Sequence, residues 1–240
     1  MTFNLSDRMK KILAAIVAGI LGNLLSFLSS LLTPMHPQVT FDFSHLATFL
    51  VAIAFGPLYG LIAGAIGSIY PYFHYAVFGI YGPVFGLAII FGKAMTGFVC
   101  GFLRSRMPVF LAVNISFIPE SLYTFGFLQL MTLCLPEGTI NWMIISGIIT
   151  EGWVEVIIFS FLIDTVMRRR VVETAVLLLE IFIIMFLVHK EFIHTLLVLL
   201  LITLITLVLF ELIKPFIKKK SGSDIKDKDH EEKTNEKIGK

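Results

Sequence analysis

The sequence predicts an all-α protein, a polytopic membrane helix bundle, and three observations carry that prediction. Hydrophobic residues make up 57% of the 240-residue chain and charged residues only 15%, for a mean hydropathy of +0.89. The apolar residues gather into long runs, and a helix that crosses about 30 Å of hydrocarbon needs roughly 20 of them. The Lys and Arg residues, finally, cluster between alternate runs instead of scattering.

The first run, about 9–32, has its apolar stretch Ile12–Leu32 preceded by Arg8, Lys10 and Lys11. It is too long for a signal-peptide core and no small-residue cleavage site follows it, so it is expected to be a retained span. Its Ala14-Ala15-Ile16-Val17-Ala18-Gly19 stretch places small residues four apart, a flat face for a neighbouring helix or another protein. The next stretch, FDFSHLATFLVAIAFGPLYGLIAGAIG (41–67), is awkward for one span and short for two, with Gly56-Pro57 at its centre.

Charge resolves that ambiguity. Further runs at 83–103, 107–134 and 142–167 are followed by Arg104 and Arg106 and by Arg168, Arg169 and Arg170; runs at 171–188 and 192–216 end in Lys214, Lys218, Lys219 and Lys220. The connections 33–44, 71–82 and 135–141 contain no Lys or Arg. Eight spans with cytoplasmic N- and C-termini put every basic cluster inside and leave only Lys190 outside. One kinked helix over 43–69 would turn the arginine clusters outward, so a helical hairpin turning at Gly56-Pro57 is expected, giving runs at 45–56 and 58–70. Packing glycines agree: Gly60, Gly64 and Gly67 stripe the third span, Gly97 and Gly101 the fourth. Cys100 and Cys134 read as small core residues. Residues 218–240 lack core-forming side chains and should be a disordered, charged cytoplasmic tail.

Ionisable side chains inside a membrane are costly and point to function. Lys93, Glu120, Glu151 and Glu155 fall near mid-depth of their spans. Glu151 and Glu155, four apart, share a helix face near Trp153. Lys93 either pairs with one of the three glutamates or joins them around a polar cavity. The outer connections are rich in aromatics, among them Phe41, Phe43, Tyr70, Tyr72, Tyr75 and Tyr81, with His36, His45 and His74 nearby. Stacking faces with a few polar groups suit a flat heterocycle. The histidines lack metal-ligand spacing, so neither a metal site nor a cofactor is expected. GLAIIFGK (86–93) is not a phosphate-binding loop: one residue too many separates the glycines, and Ala94 follows the lysine. Transport by this chain would therefore draw its energy from elsewhere.

Asp42-Phe43-Ser44, a short apolar helix and Gly56-Pro57-Leu58-Tyr59-Gly60 with Gly64 beyond it resemble the second-to-third helix segment of S components. These are the substrate-capture subunits of energy-coupling factor (ECF) vitamin transporters. The similarity covers roughly residues 9–170 and extends to the topology and the long loop after the first span. It implies a six-helix ECF S-component-like core over 1–170. The two additional transmembrane helices of 171–217 go beyond that architecture. It also implies a pocket near the outer face, roofed by the loop between spans one and two and lined by spans four to six. Candidate substrate-binding residues are then Asp42, His45, Tyr70, His74, Lys93, Glu120, Glu151, Trp153 and Glu155. Ala14 and Ala18 would dock an ECF transmembrane coupling protein that carries the ATPase subunits.

The expected function is therefore capture of a vitamin or related micronutrient, with no catalysis and no nucleic-acid partner, in a lipid-embedded chain of the cell membrane. The excess of buried carboxylate favours a positive or donor-rich solute. Two alternatives remain at this point: an integral membrane enzyme using the intramembrane carboxylates, or a ligand-free membrane scaffold.

Overall fold

The computed structural model describes residues 6–32, 42–79, 81–135 and 140–167, together with positions 201, 205, 206, 208, 209, 212 and 213. Among them all regular structure is helical. Helix α1 spans Asp7–Leu32 and opens with the Ser6 hydroxyl accepting the Met9 N–H at 3.3 Å, which satisfies one otherwise orphaned donor. Helices α2 (Ser44–Phe55) and α3 (Pro57–Gly67) follow, then a single turn α4 (Ile69–Pro71) running into a π-helical turn at Tyr72–Val77. Three long helices complete the bundle: α5 (Pro83–Leu103), α6 (Val109–Cys134) and α7 (Trp142–Met167).

The stretch around Gly56-Pro57 is a hairpin. Gly56 adopts φ +101° and ψ −171°, and its N–H closes on the Ala52 carbonyl before Pro57 starts the next helix. The chain then doubles back, so that a Cβ placed on Gly60 would lie 2.7 Å from Ala52 Cβ, and one on Gly67 3.9 Å from Thr48 Oγ1. Only glycine occupies that backbone region without strain. Gly56→Ala should lower stability by about 1–3 kcal/mol, measured by chemical unfolding in detergent. No atom lies within 4 Å of the added methyl, so the loss is conformational and not steric. An unchanged unfolding midpoint would contradict this reading of the turn.

Interhelical contacts fix the directions of the other helices. Asn23 on α1 donates to the Ile66 carbonyl at 2.7 Å and accepts the Tyr70 N–H at 2.7 Å, and Ser30 meets the Tyr70 hydroxyl at 2.9 Å, so α1 and α3 run in parallel. Gly101 lies against Gly56-Pro57, Gly97 against Gly60, and Lys93 against Gly64, so α5 is antiparallel to α3. Thr96 bonds the Ser116 carbonyl, and Phe110 meets Phe161 with ring centroids 4.7 Å apart, which makes α6 antiparallel to α5 and to α7. The start of α1, the end of α5 and the end of α7 therefore share one end of the bundle. Arg8, Lys10, Lys11, Arg104 and Arg106 lie there, matching the alternation read from the charges.

Among the described residues, four helices, α1, α5, α6 and α7, are long and apolar enough to cross a membrane, which makes this a helical membrane protein by composition and length. The 12 and 11 residues of α2 and α3 give about 18 and 17 Å each at 1.5 Å per residue, less than the full hydrocarbon thickness. A hairpin returns the chain to its starting end whether or not it crosses fully, so the opposite directions of α1 and α5 do not depend on its depth. The core lies around α2, where Phe49, Val51, Ala52 and Ile53 have no exposed surface.

Two expectations need correction. Ala14 and Ala18 are 5% and 0% exposed, and Ala18 belongs to the core of this chain. They face the chain's own helices and do not form the exposed flat face read from the sequence. Cys100 is buried as expected, but Cys134 ends α6 exposed. Of the proposed helices in 171–217 only seven positions are described; Ile205, Leu209 and Ile213, spaced by four, are buried in the main core. The loop segment 33–41 with His36 and Phe41, the arginines 168–170, Lys190 and the tail 218–240 lie outside the described residues.

Candidate functional site

Two adjoining features occupy the end of the bundle away from the basic clusters and the layer beneath it. The first is a cavity of about 170 Å³. Asp42 contributes to it from just ahead of α2, Pro71 and Tyr75 from the helical turns after α3, and Tyr81 from the loop before α5. Ala88 and Ile89 of α5, Thr124, Phe127, Leu128 and Met131 of α6, and Ile148 and Glu151 of α7 complete the wall. Its apolar backing is a small separate core of Leu128, Met131, Ile140 and Ile145, against which Tyr81, Phe127 and Ile148 pack. Burial pushes the Tyr81 phenol up to about 12, with the Glu151 carboxylate adding to the effect, so this hydroxyl is a protonated donor beside the cavity.

The second feature is a buried ionic cluster that shares Asp42 with the cavity. Lys93 on α5 donates to the Asp42 carboxylate and to the Ser44 hydroxyl. The other Asp42 oxygen accepts the Ser44 N–H at 3.0 Å, which ties the carboxylate to the start of α2. Burial by itself would raise the Asp42 carboxyl, but the Lys93 ammonium, His45 and the Ser44 contact outweigh it and hold the group down at about 2. The Asp42 N–H donates in turn to Glu155 on α7. His45 stands between two helices, with Nε2 3.4 Å from Glu120 and Nδ1 3.7 Å from Glu155, while Glu120 also accepts the Thr96 hydroxyl. The imidazole lies between Phe49, nearly parallel at 5.9 Å, and the edge-on Phe117 at 6.0 Å.

Lys93, Glu120 and Glu155 are all buried, and each is in contact with an opposite charge or a hydroxyl. The partner of Lys93 is Asp42, not one of the three intramembrane glutamates expected from the sequence. That choice follows from packing. Gly64 has no side chain, so α3 approaches the backbone of α5 at Lys93 closely, and the lysine reaches the Asp42-Ser44 corner of α2.

The predicted site residues thus divide. Asp42 and Glu151 line the cavity. His45, Lys93, Glu120 and Glu155 form the ionic cluster beneath it. Tyr70 and His74 do neither: their rings stack at 5.4 Å, and Tyr70 bonds α1 through Ser30. Trp153 packs edge-on against Phe117 at 5.3 Å as part of the core's periphery. A substrate-contact role for Tyr70, His74 and Trp153 is not supported by their placement. The sequence drew attention to Tyr75 and Tyr81 as outer aromatics without selecting them. Thr124 and Phe127 gave no signal, because nothing in an apolar run marks which of its residues will face a gap. Among the described residues, no group of three or more His, Cys, Asp and Glu side chains is placed to hold a metal ion. Compared with protein-family models, characterised proteins and solved structures, the chain matches none significantly.

Proposed function

We propose that this chain captures a small nutrient molecule from outside the cell as the substrate-specific subunit of an ECF-type importer. The observation that carries the reading is the position of the cavity. It lies at the end of the bundle opposite Arg8, Lys10, Lys11, Arg104 and Arg106. Basic residues favour the cytoplasmic side, and with that end inside, the cavity faces outward. Its composition suits binding better than turnover: aromatic and aliphatic walls with a few placed polar groups.

On this reading both termini are cytoplasmic. Energy comes from a membrane coupling protein with ATPases, since the chain has no phosphate-binding loop. The coupling protein would contact surface other than Ala14 and Ala18. The ionic cluster serves as scaffold: Lys93 and Glu155 hold Asp42 at the cavity wall.

Purified protein in detergent, warmed in the presence of each member of a vitamin panel, tests this. A ligand at a hundredfold excess over its Kd should stabilise the folded state by about 2.7 kcal/mol, seen as a higher melting temperature. A panel without a hit, in a preparation from which no membrane partner co-purifies, would favour a ligand-free scaffold. Catalysed conversion of a bound compound would favour an enzyme.

A further inference from the structure

The carboxylates near the cavity are unequal. Asp42 is matched by Lys93 and the Ser44 N–H. Glu155 receives the Asp42 N–H and faces His45; Glu120 receives Thr96 and faces the other His45 nitrogen. Glu151 is different. It lines the cavity, and no hydrogen bond or ion pair joins it to another of the described residues. A carboxylate at the wall of a mostly apolar cavity within a membrane protein is costly unless a partner reaches it. The cavity supplies the room for one.

We propose that the ligand of this cavity is a single-ring organic cation, an amidinium- or aminoheterocycle-type edge that pairs with Glu151. The proposal rests on the capture reading and names its substrate class. Three features beyond the free carboxylate fit such a ligand. Tyr75, Tyr81 and Phe127 line the same space, and aromatic faces attract a delocalised cation. The Tyr81 and Thr124 hydroxyls offer a donor and an acceptor for ring substituents. The volume of about 170 Å³ is below the roughly 300–1,000 Å³ of sites for drug-sized ligands, which suits one ring. A planar amidine edge presents two parallel N–H groups to the two oxygens of a carboxylate, the bidentate arrangement that makes such charge-assisted bonds strong. Asp42 is not the counter-charge, because Lys93 already occupies it.

Three isosteric probes separate charge from shape: benzamidinium, benzamide and benzoate. Each is titrated into the purified full-length protein, with binding read by calorimetry and by thermal shift. Benzamidinium should bind about tenfold or more tighter than benzamide, and benzoate should not bind. Glu151→Gln should reduce the benzamidinium preference to near unity while the unliganded melting temperature stays within a few degrees. Glu151→Asp should keep the preference for the cation. If Glu151→Gln does not fold, the Asp variant and the probe series still decide the matter. Equal binding of benzamide, tighter binding of benzoate, no benzamidinium binding at millimolar concentration, or an unchanged preference in Glu151→Gln each overturns the assignment.

The vitamin panel keeps this test distinct from the capture reading. A neutral or anionic vitamin that binds would leave capture standing and remove the cation assignment. Cation-selective binding of benzamidinium with no vitamin hit would do the reverse.

Discussion

Gly97→Val should prevent α3 and α5 from packing and lower stability by about 3 kcal/mol or more, at or above the upper end of over-packing effects. A Cβ at Gly97 would overlap the Gly60 carbonyl oxygen and lie 2.6 Å from the Gly60 carbonyl carbon and 2.8 Å from Thr48 Cγ2. The relation is reciprocal: a Cβ at Gly60 would overlap the Gly97 carbonyl oxygen. Flexible side chains can swing away from an intruding methyl, but here the obstacle on each side is backbone. Relief requires the two helices to separate. Apolar side chains gain little by leaving lipid for protein, so membrane helices depend on close contact, and small residues are what permit it. Unfolding in mixed micelles measures the loss. Gly126→Ala is the control: no atom lies within 4 Å of its added Cβ, so it should be neutral or gain up to about 1 kcal/mol from helix propensity. Equal effects of the two substitutions would show that α3 and α5 are not in backbone contact.

Lys93→Met should cost about 3–5 kcal/mol, the range for breaking a buried ion pair from one side. The methionine fills similar volume, so the loss comes from charge and not from a void. It leaves the Asp42 carboxylate buried without its ammonium. Adding Asp42→Asn should restore part of the stability, because the uncompensated charge is then gone, and the double-mutant cycle gives the coupling directly. The pH dependence has a definite sign. In the parent protein the Asp42 carboxyl is held at about 2, below its ordinary 3.8. Its contribution is therefore complete above the ordinary value and is lost as pH falls through about 2. Without Lys93, burial is opposed only by His45 and the Ser44 contact, so the group titrates higher than in the parent and the deficit of the variant should shrink as pH is lowered from 7 toward 4. A deficit that stays constant over that interval, or a double mutant no more stable than Lys93→Met, would contradict the assigned pairing.

Both experiments probe contacts of different legibility. The glycines at 60, 64, 97 and 101 advertised a close helix contact through their spacing alone, and the structure sets the two stripes against each other. The Lys93–Asp42 pair was not readable in the same way. Sequence reasoning looked for the partner of a mid-span lysine among mid-span glutamates. Asp42 lies outside any helix and comes within reach because it directly precedes α2, where Lys93 also meets Ser44. Glu151 and Glu155 illustrate the same limit. One helix face carries both, yet the first borders a cavity and the second is enclosed among Asp42 and His45.

The sequence by itself determined the membrane character, the reversal at Gly56-Pro57 and the common end of the basic clusters at 8–11 and 104–106. Those properties are local or additive: apolar length, one backbone position tolerant of φ > 0, and charge summed over connections. The tertiary structure alone decided that Ala14 and Ala18 turn inward, that Lys93 answers Asp42, and that Glu151 stands at the wall of a cavity. In a bilayer the lipid and the protein interior are both apolar, so hydrophobicity does not mark which face of a helix is which. That choice is made by the shapes and charges of neighbouring helices, which come together only when the chain is folded.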